Sequence, residues 1–405
     1  MKKINKKSMF FIAKSLISLC LTVALLFFLP TVHVFVGDNA SFLYEAFIGK
    51  KSKYQGIIEI WNIDTFEAGT ASKDSFLEAR AKDFEKQNKG LYFLIRNVTE
   101  QECMNMLEAG ELPDLFSCSF GVAPKLQKFL KPVSTNKFGI AENYLKAGKI
   151  DKVQFALPWC RGAYCLISTK ANLEKAKVNT DTKFDLISNA LKLGYEVHGK
   201  KKTHSVFSLS FGRSNYLMPE NALLSYNVNI LESNEKLAFN AETAKSSTYS
   251  AYCSFIAGES VMLLGTQRDV ARMENRVKNG KASDVVYAPL LRFNDLVQFV
   301  MIAKSNNSNR EFYAEEFAKF LVSKSSQSKL SSVGMFSVLT GENCAYENGV
   351  MFDIALENIS THSIPKLFLW QFVSSVFFAK EFLICEQINR NFKEKWCWVY
   401  GKLWC

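Results

Sequence analysis

The stretch GIIEIWNID, residues 56–64, ends an apolar run on Trp61, Asn62 and Asp64. An indole face packs against the C–H side of a sugar ring, while a carboxamide and a carboxylate hydrogen-bond its hydroxyls. In an apolar cleft a few polar groups of this kind set a ligand's orientation. Phe66 follows closely, and Ser117 and Phe120 end a second run, LPDLFSCSF. Asp114, directly after Pro113, reads as a turn or helix-capping residue.

Presenting these side chains together requires a sheet. GIIEIW is a short apolar run bounded by glycine, the signature of a buried strand. SKDSFLEARAKDFEKQNKG predicts a helix, with Ser75 and Glu78 as a capping box, Phe76, Leu77, Ala81 and Phe84 on one face, and Gly90 closing its end. LYFLIRNV is the next strand. Thr99 and Glu102 repeat the capping signal ahead of a helix that stops at Gly110, and LPDLFSCSF supplies a third strand. Strand, helix, strand, helix, strand at such short intervals predicts right-handed crossovers and a parallel sheet. Ligands of such sheets sit beyond the carboxyl ends of the strands, where Trp61–Phe66 and Ser117–Phe120 fall.

Further along, FALPWCRGAYCLIST reads as an extended segment passing into a second, mixed region, and DLVQFVMIAKS as a buried strand bringing the chain back. NREFYAEEFAKFLVSKSSQSKL predicts an amphipathic helix with Phe312, Phe317, Phe320 and Leu321 on its apolar face. LFLWQFVSSVFFA, residues 367–379, is too short to span a bilayer and reads as a buried helix.

With 405 residues the chain exceeds the usual limit of one core, so two domains are expected. The net charge is +11, but the lysines are scattered, with no basic helix interleaved with aromatics, which argues against nucleic acid as a partner. Ten cysteines are too few for a disulfide scaffold in a chain of this size and read mostly as small buried residues, with one bridged pair left open for an extracytoplasmic chain. Without a CxxC pair, and with four histidines, no metal or other cofactor is expected.

Lys2, Lys3, Lys6 and Lys7 precede an uncharged segment, residues 15–36, that would extend about 33 Å as a helix. This is the pattern of a signal peptide or a signal anchor with a cytoplasmic N-terminus. No small-residue cleavage site follows, and Leu19 stands before Cys20 where lipid attachment needs a small residue, which favours an uncleaved transmembrane anchor.

IIEIWNIDTFEAG, FLEARAKDFEKQN, MLEAGELPDLFS, FIAGESVMLLGTQRDVAR and AEEFAKFLVSKSSQSKLSSVGMFSV, in this order and spacing over residues 56–360, resemble the extracellular solute-binding proteins of the family that includes maltose-binding protein. The resemblance implies an α/β, two-lobe, periplasmic-binding-protein-like fold of type II with hinge strands. In it, residues 1–37 are the signal segment and 38–55 a tether. Residues 56–158 with about 300–345 form one lobe, 159–299 with about 346–395 the other, and 396–405 a tail. It implies capture of a carbohydrate, or another small polar solute, and delivery to the permease subunits of an ABC importer.

Carried over by position, Trp61, Asn62 and Asp64 match the ligand loop of the first strand. Ser117 and Phe120 neighbour the Pro113–Asp114 turn, Trp159, Arg161 and Tyr164 match the first crossing segment, and Gly265, Gln267 and Arg268 match a second-lobe loop. EAGT replaces the paired glycines usual after the first-strand tryptophan. No nucleophile elbow, Walker loop or dinucleotide fingerprint is present, so an enzyme is not expected. The other reading of the same scaffold is a membrane-anchored binding or sensory module without a transport role.

Overall fold

The computed structural model describes Ser18 and residues 50–134, 139–177, 186–190, 209–211, 217, 219–226, 247–341 and 346–357. The expected anchor at 15–36, Ser18 apart, and the expected helix at 367–379 lie outside the described residues. Among those described, no helix is long and apolar enough to cross a membrane.

The strands are β1 (Lys50–Asn62), β2 (Asn88–Asn97), β3 (Leu115–Ser119), β4 (Lys149–Ile150), β5 (Val153–Gln154), β6 (Ala156–Arg161), β7 (Tyr164–Thr169), β8 (Leu209–Ser210), β9 (Met262–Thr266), β10 (Val285–Pro289) and β11 (Val297–Ile302). The principal helices are α1 (Lys73–Gln87), α2 (Glu100–Glu108), α3 (Thr248–Ile256), α4 (Gln267–Lys278), α5 (Ser308–Leu321) and α6 (Val350–Leu356).

A five-stranded sheet runs β2-β1-β3-β11-β6 and a four-stranded sheet β10-β7-β9-β8. The strand pattern read from residues 56–119 predicts parallel pairing, and β1 and β3 are parallel, with Trp61 opposite Phe116 and Asn62 opposite Ser117. β11 joins antiparallel to β3 and β6, so the first sheet is mixed. β6 and β7 follow one another through Gly162 and Ala163, and the chain passes there from the first sheet to the second. It returns between β10 and β11, as the apolar run around residue 297 predicts.

Two compact units make up the chain: Met1–Gly56 with Lys82–Tyr92, and Ile57–Ala81 with Phe93–Cys405. In the first, Gly90 has φ +90, and a Cβ there would stand 3.0 Å from the Gln55 side chain. Asn88 Nδ2 donates to the Phe84 carbonyl at 3.0 Å. The second holds most of both sheets. Around the second sheet its core gathers Ile167, Leu263, Phe255, Val270 and Met273.

Local signals succeed where the cap residue is unambiguous. Thr99 and Glu102 form the expected capping box of α2. α1 corrects the other expectation: it begins at Lys73, two residues before Ser75, and the Ser72 hydroxyl accepts from the Ser75 amide at 3.4 Å. Gly90 lies within β2 rather than at the helix end, and β1 begins at Lys50, inside the stretch expected to be tether. On α5, Phe317 and Leu321 are buried, but Phe312 faces solvent, and Tyr313 takes the inward position. Cys103, Cys118, Cys160 and Cys165 are buried free thiols and Cys253 is an exposed one.

Candidate functional site

The carboxyl end of β1 lies between β2 and β3, and there period-two alternation sends Trp61 and Asn62 to opposite faces. Both faces are covered. Trp61 is 1 % exposed, its ring edge-on to Phe116 at 5.8 Å, and its indole N–H donates to Glu59 Oε1 at 2.9 Å. The tryptophan expected on a binding lip is an interior residue. Asn62, also 1 % exposed, donates through Nδ2 to Asn97 Oδ1 at 2.9 Å. Ser117 accepts from Gln298 Nε2 at 3.0 Å. A polar row therefore runs across the sheet from exposed Asn97 to buried Asn62, Ser117 and Gln298. Phe120 packs edge-on to Phe299 at 4.9 Å in the same interior.

The crossing segment is equally occupied. Trp159 stacks on Phe76 of α1 at 5.5 Å and is fully buried. Arg161 donates from Nε to the Ser337 carbonyl at 3.1 Å and from Nη2 to the Ala355 carbonyl, near the end of α6, at 2.9 Å. Its guanidinium lies over the Tyr144 and Phe336 rings, 5.5 and 5.2 Å from their centroids. Tyr164 donates its hydroxyl to Asp295 Oδ1 at 2.6 Å. At Gly265 a Cβ would meet Asp269 at 2.8 Å, so this glycine serves close packing against α4. For these residues the expected cleft-facing position is corrected: each spends its polar group or ring inside the protein.

Asp64 and Phe66 lie on the loop that follows β1, and Lys73 of α1 holds that loop down. Its Nζ donates to the Phe66 carbonyl, pairs with Asp64 Oδ1 at 3.3 Å and sits 3.5 Å from the centre of the Phe66 ring. Burial pushes the Lys73 ammonium below its ordinary pKa, against the pull of the Asp64 carboxylate, which stays half exposed. The loop is pinned again where Gly69 and Gly334 meet backbone to backbone. A Cβ on Gly69 would come within 2.4 Å of the Gly334 carbonyl oxygen.

The same loop reaches the start of α4. Gln267 is fully buried; its Oε1 accepts from the Ala163 amide at 3.2 Å and its Nε2 donates to the Glu67 carbonyl at 2.9 Å. Arg268 donates from Nη1 to the Ala68 carbonyl at 3.1 Å, and its Nε lies 3.0 Å from Glu67 Oε2. One turn on, Arg272 donates from Nη1 to Asp269 Oδ1 at 3.0 Å. The guanidinium of Arg272 also lies over two rings of α3, 5.4 Å from Tyr249 and 5.1 Å from Tyr252. Burial raises the Asp269 carboxyl pKa, while the Thr266 amide and Arg272 oppose that shift.

This seam exposes what the sheet edge hides. Tyr249 is 62 % exposed, and the Glu67 side chain 49 %. An exposed tyrosine whose ring carries the Arg272 guanidinium, itself 3.9 Å from the Glu67 carboxylate, offers a surface for a pyranose ring and polar groups for its hydroxyls. Of the expected residues, Gln267 and Arg268 meet here. Glu67, Arg272, Tyr249 and Tyr252 were not singled out from sequence, although the Tyr249–Tyr252 and Arg268–Arg272 spacings each put a pair on one helix face.

No family model matches the chain, and no curated protein matches it in sequence. Solved structures do. The GacH receptor of Streptomyces glaucescens, solved unliganded and with acarbose, aligns over 77 % of this chain and 89 % of its own, with TM-score 0.52 and 14 % identity. Maltose-bound MalE3 of T. maritima aligns over 80 % and 94 %, with TM-score 0.53 and 14 % identity. The chain has the solute-binding-protein fold. Thiaminase I from Bacillus thiaminolyticus shares it at TM-score 0.54 and 11 % identity, over 80 % of this chain and 99 % of its own. The solute-binding fold is thus compatible with catalysis as well as capture, and the side chains of the site must separate the two.

Proposed function

We propose that the chain is an extracytoplasmic solute-binding protein that captures a carbohydrate at the seam between the loop after β1 and the amino-terminal turns of α3 and α4. The observation that carries this reading is the grouping of an exposed ring, Tyr249, with Arg272, Arg268 and Glu67 where the loop after β1 meets the start of α4. Acarbose and maltose, bound by the similarly folded GacH receptor and MalE3, support a saccharide as the solute class. Capture rather than catalysis fits a site whose charged groups are paired with one another.

The sheet crossings at Gly162–Ala163 and between β10 and β11 support a two-lobe, hinged arrangement whose boundaries lie at those crossings, a few residues from the expected 158/159 and 299/300. Closure then follows because the solute touches both sides, and its binding energy favours the closed form. In this reading the roles of Asp64, Arg268 and Gln267 are ligand contact or support of it, and delivery is to an ABC importer. The lysine-flanked segment 15–36 supports attachment of the chain to the outer face of the membrane.

The test is titration of the purified protein with a broad library of neutral and charged oligosaccharides, followed by intrinsic fluorescence and calorimetry. Saturable binding to a saccharide supports the proposal. Silence across the library contradicts it and favours the binding or sensory module without transport.

A further inference from the structure

Two guanidiniums of α4 converge on a single carboxylate oxygen. Glu67 Oε2 lies 3.0 Å from Arg268 Nε and 3.9 Å from Arg272 Nη2. The carboxylate belongs to a loop two hundred positions earlier in the chain and is half exposed, so it arrives at the arginines from the other side of the seam. The pairing is one of charge more than of shape. Arg268 Nε, itself buried, makes no aligned hydrogen bond, whereas a guanidinium and a carboxylate at their best form two parallel bonds.

Arg272, by contrast, is held without Glu67. Asp269 fixes its Nη1, and the Tyr249 and Tyr252 rings support its plane. Asp269 is buried and remains with α4, so the ion pairs Arg268–Glu67 and Arg272–Asp269 differ in permanence. When the half-exposed Glu67 side chain swings away, Arg268 loses its carboxylate and keeps its bond to the Ala68 carbonyl. Two guanidiniums and one carboxylate then remain beside an exposed tyrosine at the start of a helix, whose dipole also favours negative charge.

We infer that the captured solute is an acidic saccharide, whose carboxylate replaces that of Glu67 between Arg268 and Arg272 while a neighbouring sugar ring lies on Tyr249. The inference rests on the saccharide reading above and narrows it to uronate-bearing chains. Glu67 acts as an internal substitute that occupies the anion position until the solute displaces it. The planar fork of arginine favours a carboxylate that accepts two bonds over a hydroxyl that accepts one.

The experiment is calorimetric titration of the purified full-length chain with oligosaccharides in matched pairs, neutral and uronate-bearing, of equal length, at low and high salt. Sulfated members of the same length form a third arm. The uronate member is expected to bind at least tenfold tighter than its neutral counterpart, with the gap narrowing at high salt, and tighter than the sulfated one. Glu67→Gln keeps the side-chain shape and the backbone bonds of the loop, and is expected to raise uronate affinity at least threefold. Arg268→Ala is expected to remove most of the preference, as is Arg272→Lys, which keeps the charge and loses the fork. Thermal melting establishes that each variant is folded.

Equal affinity for neutral and uronate chains overturns this inference and leaves the saccharide reading standing. So does a preference for the sulfated chain, or weaker uronate binding by Glu67→Gln. If no saccharide of any class binds, both fall together.

Discussion

Gln267 and Glu67, two hundred residues apart in sequence, are joined by a 2.9 Å hydrogen bond from the Gln267 amide to the Glu67 carbonyl. The other end of the same carboxamide accepts from the Ala163 amide at the crossing between the sheets. One buried side chain therefore ties the loop after β1, the crossing segment and the start of α4 at a single point. Gly162 makes room for it: a Cβ there would stand 2.4 Å from Gln267 Oε1.

Gln267→Leu keeps the bulk and removes both bonds, leaving the Ala163 amide and the Glu67 carbonyl to find other partners. The expected loss of stability is about 1–3 kcal/mol, the usual cost of stranding buried polar groups. Chemical denaturation of the variant beside the parent measures it. The same variant is expected to loosen residues 63–72, which limited proteolysis reports as faster cleavage there.

Tyr249 stands apart from the core, so its replacement separates binding from stability. Tyr249→Ala is expected to weaken saccharide binding about tenfold, equivalent to about 1.4 kcal/mol. Its effect on unfolding is expected to stay within about 0.5 kcal/mol, as for other exposed positions. Parallel calorimetric titration and melting check both halves, and unchanged affinity argues against the tyrosine platform.

Trp61 is expected to give the opposite result. Trp61→Ala removes a wholly buried ring, at a cost of about 3–5 kcal/mol. Trp61→Phe, which retains an aromatic core residue but not the bond to Glu59, is expected to melt earlier than the parent yet hold saccharide affinity within about twofold. A large affinity loss in a well-folded Trp61→Phe protein would return this residue to the binding site.

Lys73 makes stability depend on alkaline pH in a definite direction. Its folded-state pKa is lowered by burial, so the folded protein binds this proton less well than the unfolded chain does. The resulting destabilisation is fully present below the folded pKa. It is relieved as pH rises from there towards the ordinary lysine value of 10.5, and stability gains over that window. Lys73→Met is expected to lack this gain, so that its denaturation midpoint falls further, or rises less, between neutral and alkaline pH than the parent's does.

The contrast between Trp61 and Tyr249 shows what the amino-acid order could and could not reveal. Short apolar runs disclosed β1, β2, β3 and β11 and the extended crossing segment, because each such run depends on neighbours within about ten residues, and the close alternation of strand and helix signals implied the parallel β1–β3 pair. The same pattern puts Trp61 and Asn62 on opposite faces but says nothing of what covers each face. Phe116 and Asn97, which cover them, come from other strands. Arg161 illustrates the same limit: an arginine on a crossing strand suggests an acidic ligand or a neighbouring carboxylate until the carbonyls of Ser337 and Ala355 are brought to it by folding. The pair of rings on α3, Tyr249 exposed and Tyr252 packed on the core, was hidden for another reason. Tyr249 and Tyr252 gain meaning only when α4 lays Arg272 between them.

Hydrogen–deuterium exchange of the full chain, with and without its best-binding saccharide, tests the proposed site most directly. Exchange is expected to change together in two separated stretches, residues 63–72 and residues 266–272, with Tyr249→Ala and Arg272→Ala diminishing both changes. Binding that leaves both stretches unaltered and protects some other surface would contradict it.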